Sequence, residues 1–287
     1  MTGRKSALMW MLVATLFFVL QGVAFKASTR WLPPVQMMVI RNTGALLMLW
    51  CWLGFRGQRI FQPVNGRLLA LRGILGTGGM IGYFYGLHLL PMAEVVTIHK
   101  TAPFIILIIA RIFLGEQITR RKVASFVVAM AGVLVVFQPG FGRFGGLLFL
   151  PLGAALFSGA AHASIRRLND TDHPATIVSG FFLMSLPILV PLMVMNGMAM
   201  PAGMLQWALV VAVGLFTVLA QLAMTLAYRY GPAGEVALYS YSSIPMAAVF
   251  SFFLFEDPLT AGTAGGSILI ILAAFLMHRE IRRSIPV

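Results

Sequence analysis

LPMAEVVTIHKTAPFIILIIARIFLGEQIT, residues 90–119, returns in altered form as GPAGEVALYSYSSIPMAAVFSFFLFEDPLT, residues 231–260. In ungapped register, 141 residues apart, Pro91 matches Pro232, Glu94 matches Glu235, Thr101 matches Ser242, Glu116 matches Asp257 and Thr119 matches Thr260. The flanks differ in charge. The first copy runs on into Arg120, Arg121 and Lys122, whereas the second continues from Asp257 through Thr260 to Gly262 without a base. Two related segments with opposite flanking charge predict two halves that enter a bilayer from opposite faces.

Composition places the whole chain in lipid. A mean hydropathy of +0.90, with 59% apolar and 10% charged residues, leaves too few charges to cover an aqueous surface. Ten apolar runs, each long enough to cross about 30 Å of hydrocarbon as a helix, fall near 6–25, 34–54, 68–89, 93–114, 122–139, 146–165, 175–195, 205–228, 235–255 and 261–278. A barrel is excluded because residues 104–110 are apolar on every side instead of alternating. In lipid the backbone then has only the helix to satisfy it. The expectation is one all-helical membrane domain, residues 1–142 and 143–287 being inverted five-helix repeats. The apolar run after Arg4 and Lys5 is long for a leader, and no small-x-small site precedes Lys26, so it is expected to stay as the first helix.

The net charge of +13 does not point to nucleic acid. With the amino terminus inside, sixteen bases flank inner helix ends (Arg72, Arg120, Arg121, Lys122, Arg166 and Arg167 among them). Only Lys26, Arg30 and Arg143 lie outside. This bias predicts an inner-membrane protein with both termini in the cytoplasm. The single cysteine, Cys51, rules out an internal disulfide and is expected to be inert.

The segment from Tyr85 to Glu94 with its Gly115-Glu116 turn, and the segment from Ala227 to Glu235 with Phe255-Glu256-Asp257-Pro258, resemble the EamA branch of the drug/metabolite transporter superfamily along essentially the whole chain. The resemblance implies ten helices in two inverted repeats around a central cavity lined by the third, fourth, eighth and ninth helices. It implies transport without naming the cargo, since similar proteins move amino acids, S-adenosylmethionine, riboflavin, nucleotide sugars and opine metallophores.

Polar groups in hydrocarbon mark the candidate site. Arg41 lies about 11 Å into the second helix, beside Asn42 and Thr43. It serves either to bond carbonyls between helices or to hold a carboxylate or phosphate in its bidentate fork. His99 and Lys100 precede Pro103 in the fourth helix and pair in the 141 register with Ser240 and Tyr241. A hydroxyl-rich patch, Tyr239 to Ser243 with Tyr241 and Ser242 at its centre, thus faces a cationic one, unless those hydroxyls serve only interhelical bonding. Gln21, Tyr83, Tyr85 and Gln221 are further candidate cavity linings. Pro103 and Pro245 are expected to kink the paired helices and expose backbone to the cavity, although kinks are also ordinary in bundles.

Glu94 and Glu235, each three residues after a proline, are expected to cap helix starts or to form ion pairs that change on gating. Gly78, Gly82 and Gly86 recur every fourth residue, a smooth stripe for static packing or for sliding of one helix on another. The embedded charge is cationic, so the cargo is expected to be a small molecule carrying a carboxylate. No paired acids, histidine cluster or activated cysteine supports an enzyme, a metal or a cofactor. A channel is the nearer rival. The function expected is export of an amino-acid-like metabolite by alternating access, with import of a compound such as riboflavin or S-adenosylmethionine as the alternative. Oligomeric state leaves no mark in the sequence.

Overall fold

A computed structural model describes residues 3–28, 31–59, 61–89, 95, 98–137, 145–255 and 261–283. Glu94, Pro91, Arg143 and Asp257 lie outside the described residues. Among the described residues the chain is helical and has no strand. Its helices are α1 (Gly3–Ser28), α2 (Pro34–Phe55), α3 (Gly66–Leu89), α4 (Ala102–Phe113), α5 (Arg120–Phe137) and α6 (Phe149–Leu168). After these come α7 (Pro174–Asn196), α8 (Met204–Tyr230), α9 (Ala233–Tyr239), α10 (Ser243–Phe255) and α11 (Ala261–Arg283).

Four of these, α1, α2, α7 and α8, are individually long and apolar enough to cross a membrane. Large apolar side chains such as Ile108, Val127, Val211, Ile268 and Ile271 are exposed along the bundle. Such a girdle suits lipid and not water. Cys51 is exposed on the same outer surface, not packed inside.

Helix starts follow local chemistry. Prolines open α2 and α7, where the missing N–H would have no helical partner anyway. The His173 ring accepts from the Ala175 N–H at the start of α7. Gly115 ends α4 with a φ of +69°, a backbone shape that glycine adopts without strain. The chain turns there, and the Glu116 N–H returns to the Ala110 carbonyl at 3.0 Å.

Packing follows a regular scheme. The strongest contacts are α1 on α8, α3 on α6 and α5 on α11; α8 and α7 also pack on α2, α7 on α3, α6 on α4, and α9 with α10 on α1. Count α9 and α10 as one helix and exchange each of the first five with the one five places on. The scheme then maps onto itself.

The two ends differ. At one end, Asp172 accepts from the backbone N–H groups of Val64 and Asn65, and Asn169 donates to the Thr225 carbonyl. At the other, the Gln36 amide exchanges two hydrogen bonds with the backbone of Ala199.

Candidate functional site

The fourth and ninth helices of the sequence are both interrupted, and the candidate residues gather at the breaks. Lys100 and Thr101 form a turn before α4, and Ser240–Ser242 form a single 3₁₀ turn between α9 and α10. The prolines therefore do not kink continuous helices, as the sequence suggests. Pro103 and Pro245 each sit in the first turn of a new helix, where no N–H is missed.

The break before α4 leaves the Lys100 carbonyl bare, and the second break supplies its donor. Phe104 donates its N–H to Thr101 at 3.0 Å and not to Lys100. The Tyr241 hydroxyl donates to the Lys100 carbonyl instead, at 2.8 Å. In return the Lys100 ammonium donates to the Ser243 hydroxyl at 2.5 Å and to the Ser240 carbonyl at 3.4 Å. Ser242 shares a hydrogen bond with Thr15 of α1 at 3.0 Å. Tyr239 is buried, and its hydroxyl has no partner among the described residues.

From this knot a line of contacts runs to Arg41. His99 shares a hydrogen bond with Ser158 at 3.3 Å, and its ring centroid lies 4.7 Å from that of Tyr83. Tyr83 meets Phe84 edge-on at 5.5 Å, and the Arg41 guanidinium lies 5.2 Å from the centre of the Phe84 ring. Arg41 is 5% exposed. Its Nε donates to the Asn42 Oδ1 at 3.0 Å and its Nη2 to the Met80 sulfur at 2.6 Å. Asn42 is fixed in turn by Ser185 at 2.7 Å. Among the described residues no carboxylate pairs with Arg41 or Lys100. Arg41, Tyr83 and His99 thus share one line of contacts, and Lys100 with Tyr241 forms a second group that continues it through the peptide bond between residues 99 and 100; Ser242 lies in the same turn but bonds to Thr15 and the Tyr239 carbonyl. Gln21 is buried on α1 and Tyr85 is half-buried against the core of α2, α3, α7 and α8; neither joins these groups.

Gln221 belongs to a residue that the sequence assigns to an inner flank. Arg72 is 2% exposed, one of the largest fully buried side chains. Its Nη2 donates to the Gln221 Oε1 at 3.1 Å, and its guanidinium stacks 4.2 Å from the centre of the Phe181 ring. Seven residues into α3, a base normally reaches the interface; here α7 and α8 close over it. No signal in the sequence of α3 alone could have revealed that.

The glycine face of α3 is also offset from the sequence stripe. A Cβ at Gly79 would collide with the Ser158 hydroxyl, and one at Gly82 would come within 3.0 Å of the Leu150 carbonyl. At Gly86 it would meet Val95 at 3.3 Å, but at Gly78 only Phe157 at an ordinary 3.5 Å.

Glu235 does not act as a simple cap. It is 4% exposed and lies between Arg4 of α1, at 3.7 Å, and Lys122 of α5, at 3.4 Å. The start of α9 is capped from elsewhere. Glu116 accepts from the N–H groups of Ala233 at 2.6 Å and Gly234 at 3.2 Å, where a carboxylate suits the positive helix end.

Known proteins share this architecture. The profile of the EamA-like transporter family matches residues 5–138 and again 144–279. The chain is 25% identical to the pseudopaline exporter CntI of Pseudomonas aeruginosa over 96% of both chains. It is 28% identical to the riboflavin transporter of Rhizobium johnstonii, over 94% of this chain and 93% of that one. A crystal structure with 20% identity superposes with a TM-score of 0.83, covering 97% of this chain and 98% of the other. A family profile that fits the chain twice in succession and spans nearly all of it, and a helical fold shared end to end, leave one assignment: the chain belongs to the EamA-like transporter family, a family of membrane proteins.

Proposed function

We propose that the chain exports a small amino-acid-like or carboxylate-bearing metabolite, an amino acid or an opine metallophore. Alternating access between two inverted five-helix halves, residues 1–142 and 143–287, would move it. The carrying observation is a pair of cations, Arg41 and Lys100, inside an apolar bundle with only neutral partners among the described residues. Each embedded charge costs about 3 kcal/mol or more, and amide, thioether and hydroxyl groups offset less of that than a carboxylate does. A cargo carboxylate completes what the protein leaves incomplete.

The packing scheme that survives exchange of the halves supports an inverted repeat, as do the breaks at matching positions, a feature of transporter sites. The bundle end carrying Arg4, Lys122, Arg166 and Arg167 faces the cytoplasm in this reading, by the positive-inside bias. Glu235, between Arg4 and Lys122, serves as a latch there; Glu94 holds the matching place in the sequence. Gly82 and Gly86, with Gly78 at the edge, give α3 and α6 a surface on which to shift.

The riboflavin transporter among the relatives, together with the rings of Phe84, Tyr83 and His99 between the two cations, favours a second reading, uptake of a heterocyclic metabolite such as riboflavin or S-adenosylmethionine. One experiment separates the two. Metabolites are measured inside and outside cells lacking the gene, and in cells restored with the native chain, Arg41→Ala or Lys100→Ala. Export predicts that one carboxylated compound accumulates inside the null cells and that neither variant relieves it, although both insert. Depletion inside the null cells indicates uptake. Full rescue by both variants removes the cationic site.

A further inference from the structure

We infer that Arg72 is a second station for the cargo's oxyanion, about two turns of α3 from the residue that meets Arg41 and on the cytoplasmic side of it; this rests on the transport reading above. Arg41 donates to Met80, and the Met80 backbone stands eight residues, or about 12 Å of helix rise, after that of Arg72.

The two arginines are built alike. A guanidinium grips a carboxylate side-on through Nε and Nη2. At Arg41 that edge is occupied by neutral groups, the Asn42 carbonyl oxygen and the Met80 sulfur. At Arg72 the Gln221 carbonyl oxygen occupies Nη2, while Nε is buried with no partner among the described residues. An unmet buried donor costs about 1–3 kcal/mol. A residue kept only to join α3, α7 and α8 could be an apolar chain of similar volume at no loss.

The surroundings hold the charge without neutralising it. Phe181 offers its ring face at 4.2 Å, which favours a cation. One turn on, Gly76 keeps the space open, since a Cβ there would strike the Arg72 Nη1. Gln221 suits exchange, because its amide can present its oxygen to the empty guanidinium and its NH₂ to an arriving oxyanion. Among the described residues no carboxylate pairs with Arg72.

The test uses the full-length chain carrying Cys51→Ser, in inverted membrane vesicles that present the cytoplasmic face. Gln221→Cys is treated with two methanethiosulfonates that do not cross membranes, one bearing a sulfonate and one a trimethylammonium group. The sulfonate reagent should react about tenfold faster, as expected for focusing by a buried charge, and Arg72→Gln in the same chain should abolish the preference. Phe181→Cys, on the stacked face of the guanidinium, repeats the measurement without removing the Gln221 contact. Equal rates for the two reagents, or no reaction from the cytoplasmic face at either position, overturn the station. Neither readout depends on the cargo. A sulfonate preference in a chain whose loss leaves every metabolite unchanged would keep the station and discard the export reading, and no labelling with efflux lost in Arg41→Ala would do the reverse.

Discussion

The Tyr241 hydroxyl donates to the Lys100 carbonyl at 2.8 Å across 141 residues of sequence, the same interval that separates the related segments 90–119 and 231–260. The contact is also reciprocal. Each break supplies a donor to the other, and the Tyr241 hydroxyl meets the Lys100 carbonyl that its own helix leaves bare. Tyr241→Phe keeps the ring and removes the donor. The expected loss is about 1–3 kcal/mol, read as a lower unfolding temperature in detergent. In a double-mutant cycle with Lys100→Met the two losses should not add. Additive losses would mean that the breaks are repaired independently.

The close face of α3 gives a sharp contrast between neighbours. Gly79→Ala places a methyl group against the Ser158 hydroxyl, and overpacking of this kind costs about 1–3 kcal/mol. Gly78→Ala meets only Phe157 at 3.5 Å and gains about 1 kcal/mol of helix propensity. Thermal unfolding of the two variants should move in opposite directions. The same direction for both would show that α6 does not lie where described.

Removing the Glu235 carboxylate leaves Lys122, whose side chain is 11% exposed, without its ion partner. Glu235→Gln should cost about 1.5–3 kcal/mol, the range for hydrogen bonds to charged groups. High salt should narrow the gap between native and variant stabilities, because Arg4 is 36% exposed and readily screened. A variant as stable as the native chain at low salt would remove the latch.

At Arg41 the shape of the cation matters as much as its charge. Arg41→Lys retains a positive point but loses the Nε and Nη2 edge. Transport of the identified cargo should fall about 10- to 100-fold, the equivalent of 1.5–3 kcal/mol, with insertion unchanged. Native rates in Arg41→Lys would assign the residue to packing.

The helical architecture was legible because lipid leaves the backbone so few options, and long apolar runs state their length directly. What escaped the sequence were relations across the bundle. Arg72 resembles an interfacial flank until Phe181 and Gln221 are seen to enclose it. Glu116 resembles a loop acid, yet it caps Ala233 and Gly234, more than a hundred residues away. A four-residue glycine stripe pointed to Gly78, whereas a straight helix presents positions three and four apart, which brings Gly79, Gly82 and Gly86 onto one side. The prolines were noticed correctly as interruptions, but whether an interruption is a kink or a fresh start depends on the residues before it. Here Lys100 and Ser240–Ser242 had already left the helix.

Lys122 of the Arg4–Glu235–Lys122 cluster is matched 141 residues on by the uncharged Thr263. If the halves move as proposed, a contact held by charge is set against one held without it, and the electrolyte on the cytoplasmic side weighs on one half of the cycle more than on the other.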